Sequence, residues 1–215
     1  MADKVVLYSY FRSSASWRVR IALALKGIKY EYRAVNLLKG EQFNDEYKKL
    51  NPMGQIPTLL IDGHCLTQSL PIIEYLDEKY PEHALLPKDS FGKAQVRALA
   101  EIINSGIQPL QNPRITKQIG DAHPDWAKHH IEYGFKALEA MLKNTAGTYS
   151  YGDQVTLADV CLVPQVFGAK RFKVDMSQFP VITRVNDALV DLPAFKEADA
   201  FCQPDTPEDL KTAKA

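Results

Sequence analysis

Residues 56–76 read IPTLLIDGHCLTQSLPIIEYL. Two apolar runs, Ile56-Pro57-Thr58-Leu59-Leu60-Ile61 and His64-Cys65-Leu66-Thr67, flank Asp62-Gly63. An Asp-Gly pair so placed is a strong hairpin signal, because both turn positions want φ > 0. Ser69 then precedes Ile72, Ile73, Tyr75 and Leu76, spaced for one helical face, and can cap that helix. Pro71 falls in the first turn, where proline is tolerated. The stretch is therefore β-β-α. Upstream, Val5 to Tyr10 is a β-rich run, Arg12-Ser13-Ser14 a polar turn, and Trp17, Ile21, Ala24 and Leu25 a helical face that Gly27 ends. Tyr30, Tyr32 and Ala34 alternate with Glu31, Arg33 and Val35 and predict a second strand. Residues 40–50 are polar and predict a short, mobile helix, and Asn51-Pro52-Met53-Gly54 a turn. The order is β-α-β-α-β-β-α.

Downstream, the polar, proline-containing stretch from Tyr80 to Asp89 reads as an interdomain break. It divides the chain into domains 1–82 and 90–215 with a linker at 83–89. Beyond it the pattern is helical. Val96, Leu99, Ala100, Ile103, Ile107 and Leu110 predict one long helix that Pro109 and Pro113 kink or end. Ile131, Phe135, Leu138 and Leu142 mark another. Thr156-Leu157-Ala158-Asp159 is a capping box, with Val155 and Val160 as its hydrophobic staple. Shorter helices are expected near 180–190 and 193–201, and the last ten residues read as frayed.

The chain's 215 residues suit one or two domains, with apolar material (46% hydrophobic, 24% charged) for a core. Twenty-six Lys and Arg balance twenty-six Asp and Glu, for a net charge of zero. That argues against nucleic-acid binding or a polybasic membrane surface. Cys65, Cys161 and Cys202 form no C-x-x-C, so zinc and dithiol sites are poor readings and a reducing, cytoplasmic setting fits best. No signal-peptide h-region follows the N-terminus, and no run of about 18 apolar residues occurs. The histidines at 64, 83, 123, 129 and 130 lack metal-ligand spacing, so no metal is expected. Trp17 and the methionines read as core.

Four places can carry chemistry, each with a plainer alternative. Ser13-Ser14 lies at a strand-to-helix turn, where unpaired N–H groups and the helix dipole favour an anion or thiolate; the alternative is an N-cap. A cis Ile56-Pro57 bond would turn the Ile56 backbone outward to pair with a peptide-like ligand, though only about 5% of X-Pro bonds are cis. Thr67-Gln68-Ser69 can seat a carboxylate at the next helix N-terminus, or simply cap it. Arg12 and Arg171 suit bidentate carboxylate binding, or are solvated surface arginines. In a β-α-β-α-β-β-α domain the first three turns share one edge of the sheet.

The stretches SYFRSSASWRVRIALALKG, NPMGQIPTL, QSLPIIEYLDEKYPE, SGIQPLQN, GDQVTLADVCLVPQV and QPDTP resemble the zeta-class glutathione transferases. The resemblance runs from about residue 4 to residue 207, and its first motif is specific to that class. It implies an α/β + all-α fold: a thioredoxin-like N-terminal domain with Pro57 cis, then an all-helical glutathione-transferase C-terminal domain. It implies glutathione as cofactor and a homodimer. The implied activity is glutathione-dependent cis–trans isomerisation of maleylacetoacetate to fumarylacetoacetate in phenylalanine and tyrosine catabolism, with a secondary transferase activity on α-haloacids. Ser13 is then the serine bonded to the glutathione sulfur. Ser14 and Gln42 are neighbouring glutathione contacts, and Ile56, presented by Pro57, pairs with the cysteinyl backbone. Gln68 and Ser69 hold the γ-glutamyl end, and Gln108 approaches from the helical domain. Arg171 and Arg12 bind substrate carboxylates. The class normally reads Ser-Ser-Cys where this chain reads Ser13-Ser14-Ala15, so any step using that thiol is put in doubt. A general conjugating transferase and a non-catalytic interaction module are the alternatives.

Overall fold

The computed structural model describes residues 4–211. They form two compact units, one running to His83 and resuming at Pro193, the other spanning Ala84–Leu192.

The first unit opens with β1 (Val6–Ser9), α1 (Ser14–Leu25) and β2 (Glu31–Ala34). β1 and β2 pair in parallel, which requires a crossover, here α1. A 3₁₀ turn (Glu41–Phe43) and α2 (Asp45–Leu50) follow, split by extended backbone at Asn44 where the sequence predicts one helix. β3 (Thr58–Ile61) and β4 (His64–Thr67) form the expected hairpin, and α3 (Ser69–Lys79) follows. Asp62 and Gly63 take φ of 55° and 74°, as a type I′ turn demands. The sheet order is β2-β1-β3-β4, with β3 antiparallel to both neighbours. This is the thioredoxin-like arrangement.

Leu7, Leu59, Ile72, Ile73 and Leu76 fill the core beside α1. α1 is buried more widely than its predicted face. Ala24 and Leu25 are only half-buried, whereas Arg18 and Arg20 are 0% and 1% exposed. The reason is that α1 packs against α3 and also against α9 (Pro193–Glu197). The residues from Pro193 onward therefore belong with the first unit, not with the single helical domain predicted over 90–215. Lys26 closes the other end of this unit. Its fully buried ammonium meets Asp77 Oδ1 at 2.7 Å and the carbonyls of Tyr80, Glu82 and His83 at 2.7, 2.9 and 3.0 Å.

The second unit is helical throughout. α4 (Ser90–Glu101) is capped by Asp89, whose side chain accepts from the Gly92 N–H. The predicted long helix does not run on to Leu110. It widens into a π-helix (Ile102–Ile107) and tightens into a 3₁₀ turn (Gln108–Gln111) around Pro109. α5 (Pro113–Ile119) and α6 (His123–Thr145) follow. Gly134 of α6 admits Ile107, since a Cβ there would lie 2.3 Å from Ile107 Cγ1. α7 (Leu157–Arg171) starts at the predicted capping box and is buried on nearly every side. α8 (Pro180–Val190) receives the buried Glu139 carboxylate at its N-terminus, on the N–H groups of Val181 and Ile182 at 3.0 Å each. In the predicted linker, Leu85 is 2% exposed and its carbonyl accepts from the Leu157 N–H. Leu85 is thus packed into the second unit, while His83, Ala84, Lys88 and Asp89 are exposed.

Two smaller expectations change. Met53 is 60% exposed rather than core, and Met141 and Met176 are half-buried; Met1 lies outside the described residues. The tail holds a last helical turn, α10 (Glu208–Lys211), and residues 212–215 of the predicted frayed end lie outside the described residues. Among the described residues no helix is long and apolar enough to cross a membrane.

Candidate active site

The strand register gathers three of the predicted turns. Tyr8 pairs with Thr58, and Thr58 with Thr67. The exit of β1, the entrance of β3 and the exit of β4 therefore lie side by side at one end of the sheet. Ile56-Pro57 and Gln68-Ser69 adjoin those strand ends directly, and Ser13-Ser14 follows the end of β1 after Tyr10, Phe11 and Arg12.

Ser13 is the N-cap of α1, with its Oγ accepting from the Ser16 N–H at 3.2 Å. The capping alternative is thus realised, but it does not exhaust the hydroxyl. As an acceptor in that bond, Ser13 keeps its own proton to donate. No acidic residue occupies the first turn of α1, so the helix dipole there is not neutralised. Ser14 and Ala15 are half-buried beside it.

The Ile56-Pro57 bond is cis, as expected. Among the described residues neither the N–H nor the C=O of Ile56 has a hydrogen-bond partner. The loop before it is staked down by groups that carry no local sequence signal. The Gln55 carbonyl accepts from Tyr47 Oη at 2.6 Å and from Asn51 Nδ2 at 2.7 Å. Tyr47 Oη also lies 2.9 Å from Thr58 Oγ1. Burial pushes the Tyr47 phenol up to about 12, so it stays a neutral donor.

Gln68, not Ser69, holds the N-cap position of α3, and its side chain makes no capping bond. It is exposed, with φ 68° and ψ 127°. A non-glycine residue held there is strained, a feature that concentrates at functional sites. Ser69 is the first helical residue, 5% exposed, and accepts from Arg18 Nη1 at 3.3 Å. No local sequence signal marks Arg18, a buried cation on the neighbouring helix.

Gln42 is 9% exposed in the 3₁₀ turn after β2, and its Oε1 is buried without a partner among the described residues. Gly54, at φ 58°, lets the Gln42 carbonyl approach: a Cβ would stand 3.0 Å from that oxygen.

Arg12 is half-buried, with its guanidinium 5.6 Å from the Phe11 ring centroid. Gln108 and Arg171 belong to the second unit. Gln108 is half-buried at the junction of the π and 3₁₀ turns. Gln111, one 3₁₀ turn on, donates to Gln165 Oε1 at 3.0 Å. Arg171 is exposed at the end of α7, 5.5 Å from the Phe172 ring centroid. Among the described residues no His, Cys, Asp and Glu cluster could hold a metal ion.

Residues 3–78 match the family Glutathione S-transferase, N-terminal domain, and residues 107–193 match Glutathione S-transferase, C-terminal domain. The maleylacetoacetate isomerase of Rattus norvegicus is 55% identical over 214 residues, 98% of this chain and 99% of that protein. The chain belongs to the glutathione transferases. The zeta-class glutathione S-transferase of Euphorbia esula is 50% identical over 209 residues, 94% of this chain and 93% of that protein. The crystal structure of maleylacetoacetate isomerase from Anaeromyxobacter dehalogenans 2CP-1, with glutathione bound in its active site, superposes with a TM-score of 0.86. It is 47% identical, covering 95% of this chain and 98% of that one. These relatives put the chain among the zeta-class transferases and maleylacetoacetate isomerases, enzymes all.

The first unit's end face suits an extended tripeptide thiol. It offers an unneutralised helix N-terminus with a spare hydroxyl, an unpaired main-chain N–H and C=O, a second helix N-terminus with a strained entry, and a buried amide oxygen lacking a donor.

Proposed function

We propose that this transferase is a glutathione-dependent cis–trans isomerase that converts maleylacetoacetate to fumarylacetoacetate. The observation that carries the proposal is the Ser13 hydroxyl, which caps α1 as an acceptor and keeps its proton for an anionic sulfur. Bound glutathione supplies the sulfur nucleophile that adds to the cis double bond and is returned when the trans isomer forms.

The chain's own residues bind, orient and stabilise charge. Ser13 and the α1 N-terminus favour the thiolate over the thiol, as at other helix N-termini. Ser14 flanks it, and Gln42 offers its buried Oε1 to a donor on the tripeptide. Ile56, turned by Pro57, pairs main chain to main chain with the cysteinyl residue. Gln68 and Ser69 hold the γ-glutamyl end on the N-terminus of α3. Gln108 is a further glutathione contact. Arg171 and Arg12 bind the substrate carboxylates and offset the enolate-like charge of the transition state. Ala15 leaves no protein thiol beside the sulfur, so the chemistry rests on glutathione alone.

Displacement of halide from α-haloacids is a secondary activity of the same thiolate. A homodimer in the cytoplasm, serving phenylalanine and tyrosine breakdown, completes the proposal. The test compares maleylacetone isomerisation with conjugation of a haloaromatic at equal glutathione. Isomerisation is expected to dominate; conjugation with negligible isomerisation would reclassify the chain as a detoxifying transferase.

A further inference from the structure

The stretch Gln203-Pro204-Asp205-Thr206-Pro207 has no part in the functions assigned above, yet the structure gives it a definite place. Gln203 and Thr206 are buried polar residues, 5% and 4% exposed. Gln203 Nε2 donates to the carbonyls of Glu197 (3.0 Å) and Asp199 (2.8 Å). Thr206 donates its N–H to the Gln203 carbonyl (3.1 Å) and its hydroxyl to the Ala200 carbonyl (2.8 Å). These bonds fold the segment onto itself and aim Asp205 at the end of β1. Asp205 Oδ2 accepts from the Phe11 N–H at 3.0 Å, and Oδ1 from the Tyr32 hydroxyl at 2.6 Å.

Phe11 sits in the turn that ends at Ser13, whose N–H donates to the Tyr10 carbonyl at 2.9 Å. Arg20 grips the same turn from α1. Its Nη1 donates to the Tyr10 carbonyl at 3.3 Å and to Ser9 Oγ at 3.2 Å, and its Nη2 to the Phe11 carbonyl at 2.9 Å. Its Nε donates to the Ala198 carbonyl at 3.0 Å, in the segment that carries Asp205. Both main-chain polar groups of Phe11 are thus held by ionic side chains, and bonds of that kind are the stronger ones.

We infer that Asp205 is a positioning residue: with Arg20 it locks the Tyr10–Ser13 turn and fixes the place from which the Ser13 hydroxyl meets the sulfur. The inference rests on the assignment of Ser13 to the sulfur. A reacting constellation has to be held to within about 0.5 Å, and a turn does so less precisely than a helix or strand unless its polar groups are fixed. The C-terminal segment supplies that rigidity across 194 positions of sequence.

The test uses the full chain. In Asp205→Asn the charge is removed and only one acceptor oxygen remains for two donors, and the contact with Tyr32 survives only if its hydroxyl reverses to accept from the new amide. The bound glutathione thiol should then titrate about one pH unit higher. kcat should fall about tenfold, with the Kd for glutathione within about twofold of the parent. Loss of a negative charge by itself moves the thiol titration down, so an upward shift reports a displaced turn. Tyr32→Phe removes the Oδ1 partner, spares the Phe11 bond and should shift the titration the same way by less; it decides the matter if Asp205→Asn does not fold. A folded variant that loses stability but keeps the parent's thiol titration and kcat overturns the inference, and Asp205 is then a clamp on the tail. Ser13→Ala runs in parallel. An unmoved titration there overturns the assignment of Ser13 itself, which separates the two failures.

Discussion

Ser13 Oγ has two separable tasks, and three substitutions pull them apart. As an acceptor it satisfies the Ser16 N–H at 3.2 Å; the second task, donating to the thiolate, is the one we propose for it. Ser13→Ala removes both. Loss of the cap should lower stability by about 1 kcal/mol, which in a chain of this size moves the thermal midpoint by about 2–4 °C. Loss of a hydrogen bond to a charged group is worth about 1.5–3 kcal/mol, so turnover should fall about ten- to a hundredfold. The bound thiol should titrate about one to two pH units higher. Ser13→Asp keeps an acceptor for the cap, and its charge suits the helix N-terminus. It has no proton to give, and it sets a negative charge beside the sulfur. It should melt at or above the parent's temperature and yet turn over more slowly than Ser13→Ala. Ser13→Thr retains both tasks and should stay near the parent. The assays are maleylacetone isomerisation at saturating glutathione, ultraviolet titration of the bound thiolate, and thermal melts. If Ser13→Asp turns over like the parent, or Ser13→Ala leaves the thiolate titration unmoved, Ser13 is a cap and nothing more, and Ser14 becomes the candidate.

Lys26→Met removes the buried ammonium that meets the Asp77 carboxylate and three carbonyls and should lower unfolding free energy in urea by about 3–5 kcal/mol; adding Asp77→Leu should restore part of it. The Tyr47 phenol, raised to about 12 in the fold from an ordinary 10.0, gives a stability term with a definite sign. Between those values the unfolded chain has lost a proton that the folded chain keeps, so the contribution is complete below pH 10 and lost as pH rises towards 12. Tyr47→Phe should flatten that alkaline part of the stability curve, measured by urea unfolding at stepped pH; an unchanged slope would show that other groups set it.

What could be read from the sequence is what short-range chemistry determines. Asp62-Gly63 announces its hairpin because two adjacent residues must both take positive φ, and Thr156 with Asp159 announces α7 because the capping box closes over three residues. The turns at Ser13, Ile56 and Gln68 were legible as candidates for the same reason, and the strand order then brings them to one end of the sheet. Long-range features left no such trace. Arg18 and Arg20 fall outside the face traced by Trp17, Ile21, Ala24 and Leu25, yet α1 is covered on two sides and both are buried. The membership of the Pro193–Thr206 stretch in the first unit hangs on Arg20 and Asp205, whose partners lie far away in sequence. Tyr47 sits in the polar stretch read as a short, mobile helix and Asn51 in the turn after it, and neither reading marks their bonds to the Gln55 carbonyl. The π-helix at Ile102–Ile107 depends on Gly134 of another helix, and no periodicity within residues 96–110 encodes it.

The central claim is that the chain isomerises through glutathione without consuming it. The most direct measurement gives the protein a large excess of maleylacetone over glutathione, follows fumarylacetone formed, and counts free thiol before and after. The account predicts many product molecules per glutathione, full recovery of the thiol, and no turnover when glutathione is left out. Product limited to one molecule per glutathione and held as a conjugate, or an undiminished rate without glutathione, would contradict it.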